Sequence, residues 1–103
     1  MMIKVYHNPQ FLDNPFLRDP IIAAEIAGSK DLELVANVDT NDLNKAFSLT
    51  NHIETDWREN EGVTFVGKFN SRSTSVGDVF ELDGVRHVVA ACGFIAIENG
   101  VPV

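Results

Sequence analysis

The sequence predicts an α+β domain in which two helices pack on a mainly antiparallel sheet with a C-terminal β-meander. Two observations lead to this fold class. The first part of the chain alternates short strand patterns with short helix patterns, and the last third holds strand patterns separated by glycine-containing turns. From this order we expect both helices to cover the same face of the sheet.

The first strand and the first helix are separated by a proline-containing loop. Ile3–His7 alternates apolar and polar residues, which is the pattern of a half-buried strand. Asp19 can cap a helix with its carboxylate, and Pro20 fits the first helical position because no amide partner is needed there. Since Gly28 favours a left-handed helix end, we predict a helix over 20–27.

A second strand and a second helix follow. Leu32–Val38 alternates in a way that places Val35 on the face opposite to its apolar neighbours. Asp39 or Thr40 can cap a helix over 41–53. The residues that fall on one side of this helix at helical spacing are Leu43, Ala46, Phe47, Thr50 and Ile53.

The last third predicts a run of antiparallel strands. Asp83-Gly84 is a two-residue hairpin signal, because both residues tolerate the positive φ of a type I′ turn. Cys92-Gly93 indicates a further turn or bulge. The strands predicted after the second helix are Val63–Val66, Val79–Leu82, Val85–Ala91 and Phe94–Glu98.

The composition is that of one globular domain spanning residues 1–103. Apolar residues make up 45% of the chain and charged residues 22%, which is enough apolar surface for a core. The longest apolar runs, such as Val88–Cys92, fall far short of the roughly 20 residues that cross a bilayer. Because the N-terminus turns polar before a signal-peptide core could form, we expect a cytoplasmic protein with no membrane association.

The net charge of −7 lies mostly in the middle of the chain. Residues 31–66 carry eight acids and two bases, whereas the segments on either side are nearly balanced. An acidic chain lacks the cationic surface that non-specific nucleic-acid binding requires, which argues against that function. The acidic segment predicts either a solvated face or a surface that docks on a basic partner or mimics phosphates.

The sequence contains no recognisable catalytic or metal-binding motif. Cys92 is the single cysteine, and His7, His52 and His87 lack metal-ligand spacing. His87 and Cys92 are five positions apart on one predicted strand, so their side chains point to opposite faces. We therefore expect no catalytic residue, no metal site and no cofactor, which favours a protein that is not an enzyme.

Residues 71–78 have the most unusual local composition, with four hydroxyl side chains, one arginine and one glycine. One interpretation is an anion site in which Arg72 binds a phosphate or carboxylate and hydroxyl groups surround it. The other is a long turn whose hydroxyls bond their own backbone, with Gly77 allowing a tight corner. The sequence leaves both interpretations open.

Trp57 stands in a highly charged stretch that ends at Glu61. An exposed indole there would be a candidate anchor for a partner protein, because buried tryptophans often dominate the energy of interfaces. Alternatively, Trp57 folds back over the helix–sheet core with its indole N–H bonded to a carbonyl. Both interpretations make Trp57 a residue of interest.

A longer pattern joins these features. It consists of Ala46-Phe47, Thr50-Asn51, Trp57, Glu59-Asn60-Glu61-Gly62-Val63, Arg72-Ser73-Thr74-Ser75-Val76-Gly77-Asp78-Val79, Asp83-Gly84 and Gly93-Phe94. The pattern resembles a group of small hypothetical proteins carried by bacteriophages, plasmids and their bacterial hosts, especially actinobacteria. Its second half is similar to the YodL-like domain of mobile elements. The resemblance covers about half of the chain, residues 46–97, and implies a setting but no catalytic residue.

We therefore expect a non-catalytic accessory protein of a phage or mobile element that binds a host or phage protein, or a nucleoprotein complex, as an inhibitor or adaptor. One alternative is an anion- or nucleotide-binding domain, with or without enzymatic activity, centred on Ser71–Asp78. Another is a virion-associated structural protein. The oligomeric state, monomer or homodimer, stays open. The candidate binding residues are Trp57, Arg58, Glu59, Asn60, Glu61, Arg72, Ser73, Ser75 and Asp78.

Overall fold

A computed structural model describes residues 2–9, 19–51, 57, 60–67, 74–91 and 93–102. These residues contain two helices and seven strands. In chain order they are β1 (Ile3–His7), α1 (Pro20–Ala27), β2 (Glu33–Val38), α2 (Leu43–Thr50), β3 (Val63–Phe65), β4 (Val79–Leu82), β5 (Val85–Ala90), β6 (Gly93–Glu98) and β7 (Val101–Pro102). None of the described helices is long and apolar enough to span a membrane.

All seven strands form one sheet in the order β3-β2-β1-β4-β5-β6-β7. Every neighbouring pair is antiparallel. The strands from β4 onward follow each other in space as they do in sequence, which is the predicted meander. The predicted α+β fold class with a C-terminal run of antiparallel strands is therefore confirmed.

The two helices lie on opposite faces of the sheet, and not on one face as we expected. Val5 and Phe80 are paired across β1 and β4 and belong to the core cluster that contains Ala46 of α2. Tyr6 and Val79, the next pair along the same strands, belong to the cluster around α1. Because successive residues of a strand point to opposite faces, each helix covers its own side.

A bulge in β2 explains why the predicted side-chain pattern of this strand is wrong at Val35. The pairing of β1 with β2 slips between Val5 and Tyr6, so that Val5 lies opposite Ala36 while Tyr6 lies opposite Leu34. The extra residue, Val35, is buried in the same cluster as Ala36, not on the opposite face. The bulge depends on long-range pairing and leaves no local signal in the sequence.

Local signals set the start of each helix, whereas Gly28 ends α1 in a right-handed conformation, with a φ of −88°, and not in the left-handed one that we predicted. The carboxylate of Asp19 accepts a hydrogen bond from the backbone N–H of Ile21 at 2.9 Å, as predicted for the cap of α1. The second helix is shorter than the predicted 41–53. Asp42, and not Asp39 or Thr40, caps α2 by accepting from two backbone N–H groups, so the helix begins at Leu43. Ile53 lies outside the described residues.

Arg86 attaches α1 to its face of the sheet. Its Nη1 donates to the carbonyl of Ala27 at the end of α1, and its Nε donates to the carboxylate of Glu81 at 3.3 Å. The guanidinium also lies over the ring of Tyr6, 5.2 Å from the ring centre. The interactions join the helix end to three neighbouring strands.

Candidate functional site

One end of the sheet carries a buried polar cluster, which we define as His7, Asn8, Thr74, Ser75 and Asp78. His7 and Asn8 come at the end of β1, and the other three residues lead into β4. Four of the five side chains are buried, and Ser75 is partly buried. Ser75 and Asp78 were predicted as binding residues from the sequence, but His7, Asn8 and Thr74 were not, because only the pairing of β1 with β4 brings the two segments together.

Asp78 holds this cluster together. One carboxylate oxygen accepts the backbone N–H of Asn8 at 2.9 Å, and the other accepts the backbone N–H of Ser75 at 2.8 Å. The residue is 0% exposed. A carboxylate with both oxygens bonded to backbone amides fixes the end of β1 against the turn that precedes β4. Asp78 is thus a structural connector between two segments that lie 70 positions apart.

His7 points into the same cluster. Its Nε2 lies 3.1 Å from the hydroxyl of Thr74 and 3.9 Å from a carboxylate oxygen of Asp78. In a nucleophile–histidine–carboxylate triad, the nucleophile and the carboxylate contact different ring nitrogens. Here the same nitrogen faces both groups, and Thr74 is 0% exposed. The arrangement therefore does not match that catalytic geometry.

Thr74 also connects the cluster to the end of α2. Its backbone N–H donates to the carbonyl of Thr50 at 2.9 Å, and its carbonyl accepts from the side-chain amide of Asn51 at 2.7 Å. The hydroxyl of Thr50 in turn donates to the carbonyl of Ala46. The polar groups of the turn and of the helix end satisfy one another.

These contacts bear on the anion site considered for residues 71–78. An anion bound at the turn would need backbone N–H groups such as that of Ser75. Asp78 already occupies that donor with its own carboxylate, and a second negative charge beside it would be repelled. Arg72 and Ser73, the other candidates in this segment, lie outside the described residues.

Trp57 is buried in the core, with 3% of its surface exposed. Its ring packs edge-on against Phe65 at a centroid distance of 5.7 Å, and the ring of His7 lies 6.0 Å away. In this position the indole completes the core beneath α2 and is not presented to a partner. Arg58 and Glu59 lie outside the described residues.

Asn60 and Glu61 differ in their surroundings. The side-chain amide of Asn60 donates to the carbonyl of Leu49 at 2.7 Å, so it connects α2 to the turn before β3. Glu61 is exposed. Of the candidate residues that follow Trp57, Glu61 is therefore the one that the structure describes as accessible.

The opposite end of the sheet carries an acidic rim, which we define as Asp39, Asp42, Glu61, Asp83 and Glu98. All five residues are exposed. Asp39 follows β2, and its backbone N–H donates to the carbonyl of Gly62 at 2.8 Å, which brings Glu61 to the same turn. Asp83 lies in the hairpin between β4 and β5, and Glu98 precedes the hairpin between β6 and β7.

The antiparallel order of the strands places these turns at one end. Four strand spacings separate β2 from β6, so Asp39 and Glu98 lie roughly 19 Å apart at about 4.8 Å per strand. Lys45 in the first turn of α2 is an exposed cation on this side of the helix. The rim therefore places five carboxylates at one end of the sheet, where Lys4 of β1 is a further exposed cation.

The acidic residues of segment 31–66 do not form a single surface. Asp31 and Glu33 belong to residues 31–66 but lie at the other end of β2, beside the polar cluster. Asp83 and Glu98 come from outside that segment and join the rim through their hairpins. The order of the hairpins could have predicted this placement. Each two-residue turn reverses the direction of the chain, so every second turn lies at the same end of the sheet.

His87 lies outside these two ends of the sheet, and its pKa is lowered. It lies on β5 between Phe80 and Ala96, and burial lowers the pKa of its imidazole below the ordinary 6.5. Within the described part of the chain, no group of three or more His, Cys, Asp or Glu side chains is arranged to hold a metal ion.

Comparison with known proteins finds no relative of this chain. No protein-family model matches the sequence, and neither a curated protein nor a solved structure matches it.

Proposed function

We propose that this protein is a non-catalytic binding protein that docks on a basic surface of another protein or nucleoprotein complex through its acidic rim. In line with the sequence resemblance, the proposed setting is a phage or mobile element, and the proposed partner belongs to the host. The observation that carries the proposal is the collection of five exposed carboxylates at one end of the sheet.

The charge of the rim suits electrostatic attraction of a basic partner. Like charges along one edge raise the local negative potential and speed the encounter with a cationic surface. Basic side chains of the partner would form ion pairs with the rim carboxylates, which lie on separate turns of the fold. The remaining charge of the chain adds to the attraction, because the net charge is −7.

The polar cluster supports a non-catalytic function. Its described hydrogen-bonding groups connect segments of the fold to one another, and Thr74 and Asp78 are closed to solvent. A group that acts on a substrate must reach it, and these two do not reach the surface. The rim offers the accessible charged groups that a partner would contact.

Charge reversal tests the proposal with a matched control. The rim variant Glu61→Lys with Glu98→Lys and the control variant Glu25→Lys with Glu33→Lys change the net charge equally, and all four glutamates are exposed. Each protein is immobilised and exposed to host lysate at low salt. We expect the wild type and the control to retain the same host proteins, and the rim variant to retain at least tenfold less.

Salt provides the second measurement. Exposed charges are largely screened at about 0.5 M salt, so the retained proteins should elute between about 0.05 and 0.5 M. Equal losses for both double variants would show that only net charge matters. Retention that neither variant reduces would contradict a role for the rim.

A further inference from the structure

Among the residues that the structure describes, β7 is the strand on the outer edge of β6, and it covers only part of that edge. β7 pairs with Ile97 and Glu98, and it extends as far as Pro102. The strand β6 begins four residues earlier, at Gly93. Within the described residues, no other strand lies beside this first part of β6 on the side away from β5.

The hairpin register identifies the backbone groups on this edge. Asn99 and Gly100 have φ values of 54° and 79°, as in a type I′ turn, so the flanking residues Glu98 and Val101 are a hydrogen-bonded pair. Hydrogen-bonding directions alternate along an antiparallel strand. It follows that Ala96 and Phe94 also direct their N–H and C=O groups outward, while Ile95 and Ile97 bond to β5.

An apolar groove lies next to this edge on the α2 side of the sheet. It has a volume of about 190 Å³, and Phe47 of α2 and Phe94 of β6 form part of its walls. Val89 of β5 also lines it. On the other face, Ile95 packs with the cluster around α1.

We propose that the open part of the β6 edge binds an extended segment of the partner protein as an added strand in line with β7. This inference rests on the proposed function and names the form in which the partner docks. Phe94 and Ala96 would supply the backbone hydrogen bonds, and one side chain of the segment would fill the groove beside Phe94. The neighbouring residue of the segment would lie beside Ile95 on the opposite face.

The surroundings determine the chemistry of this segment. Both faces of the open edge are apolar, at Phe94 and at Ile95, so the central residues of the segment are apolar or β-branched. Glu98 and the rest of the acidic rim favour lysine or arginine in the flanking positions. A second copy of this chain fits less well, because two molecules of net charge −7 repel each other.

A defined peptide tests the added strand. The probe is the end-capped hexapeptide Lys-Val-Ile-Val-Thr-Lys, titrated into isotopically labelled protein at 0.5 M salt, where the rim is screened. We expect amide chemical-shift changes centred on Phe94, Ile95 and Ala96. Two further peptides carry N-methyl groups on the odd or on the even residues. One of them should lose binding and the other should keep it, because only every second amide of the added strand faces β6.

Protein variants complete the test. Ala96→Pro removes an outward N–H and leaves the bonds to β5 intact, and Phe94→Ala removes a wall of the groove. Both should weaken peptide binding at least tenfold. Because Phe94 also packs against Phe80 of the core, with 5.6 Å between the ring centres, Ala96→Pro is the variant whose remaining amide signals should keep their dispersion. Ile21→Ala is the control, since this side chain is 69% exposed and belongs to α1.

Several outcomes would overturn the added strand. They are shift changes away from residues 93–96, equal binding of both N-methylated peptides, or a loss of binding in Ile21→Ala as large as in Phe94→Ala. Absence of peptide binding together with intact, rim-dependent capture of host proteins would reject the added strand and leave the proposed function standing.

Discussion

Asp78 accepts two backbone hydrogen bonds in a site closed to solvent, and this makes it sensitive to small changes. In Asp78→Asn the amide nitrogen replaces one acceptor and faces a backbone N–H of Asn8 or Ser75. A buried donor left without an acceptor costs about 1–3 kcal/mol, so we expect the free energy of unfolding to fall by about 2 kcal/mol. Urea denaturation measures the change.

Asp83→Asn provides the matched control for Asp78→Asn. Asp83 is exposed and has a φ of 53° in its hairpin turn, a conformation that asparagine adopts readily. This variant should change the free energy of unfolding by less than about 0.5 kcal/mol. Equal effects of the two substitutions would argue against the connecting role of Asp78.

His87 gives the fold a dependence on pH. Burial lowers its pKa below the ordinary 6.5, so the unfolded chain binds a proton at a higher pH than the folded chain does. Stability from this residue is therefore present above about pH 6.5 and decreases as the pH falls toward the lowered pKa. His87→Gln should show a smaller loss of stability between pH 7.5 and 5 than the wild type, measured by urea denaturation at each pH.

At the scale of elements, the cap of α2 separates two neighbouring acids that look equivalent in the sequence. The side chain of Asp42 accepts the N–H groups of Asn44 and Lys45, whereas that of Asp39 caps no helix. We expect Asp42→Ala to cost about 1 kcal/mol and Asp39→Ala to cost less than half of that. Thermal unfolding compares the two variants, and equal losses would contradict the assignment of the cap.

The elements that sequence reasoning predicted well are those with local causes. Asp19-Pro20 sets the start of α1, and Asp83-Gly84 sets the hairpin between β4 and β5, each within a few residues. The bulge at Val35 and the placement of the helices on opposite faces depend on which strands pair and in which register. Such information is spread over the whole chain and has no local pattern.

The candidate site, too, has features that local sequence predicts and features that depend on contacts between distant parts of the chain. Sequence composition singled out Asp78 and Trp57 as unusual residues, but both lie against His7, which is far from either of them in the sequence. The rim could be predicted only in part, since Glu61 belongs to the acidic segment while Glu98 joins it through a hairpin. The net charge of a stretch of sequence is therefore a poor guide to the charge of any one surface of the folded protein.

At the scale of the whole molecule, both cores depend on one sheet. Val79 and Phe80 are adjacent in β4 but face different helices, so loss of packing on one side weakens the strand that supports the other. Ile26→Ala, in the core around α1, should lower the free energy of unfolding by about 2–4 kcal/mol. The fluorescence of Trp57, on the opposite face, and circular dichroism should give the same lowered midpoint of denaturant-induced unfolding.

Separate transitions in those two measurements would show that the faces unfold independently. Leu43→Ala, in the core around α2, is the companion variant for the other side. Its transition should also be single when followed by both probes. Coincident transitions in both variants would establish one cooperative unit.

The central position of β1 has a consequence for how the chain folds as it is made. β1 precedes the other six described strands in the chain, yet it lies between β2 and β4, and the latter begins only at Val79. The ribosome must therefore release the whole segment from β1 to β4 before β1 has both of its neighbours. Until then one edge of β1 can pair with other chains, and the rate of translation through residues 39–82 sets how long that exposure lasts.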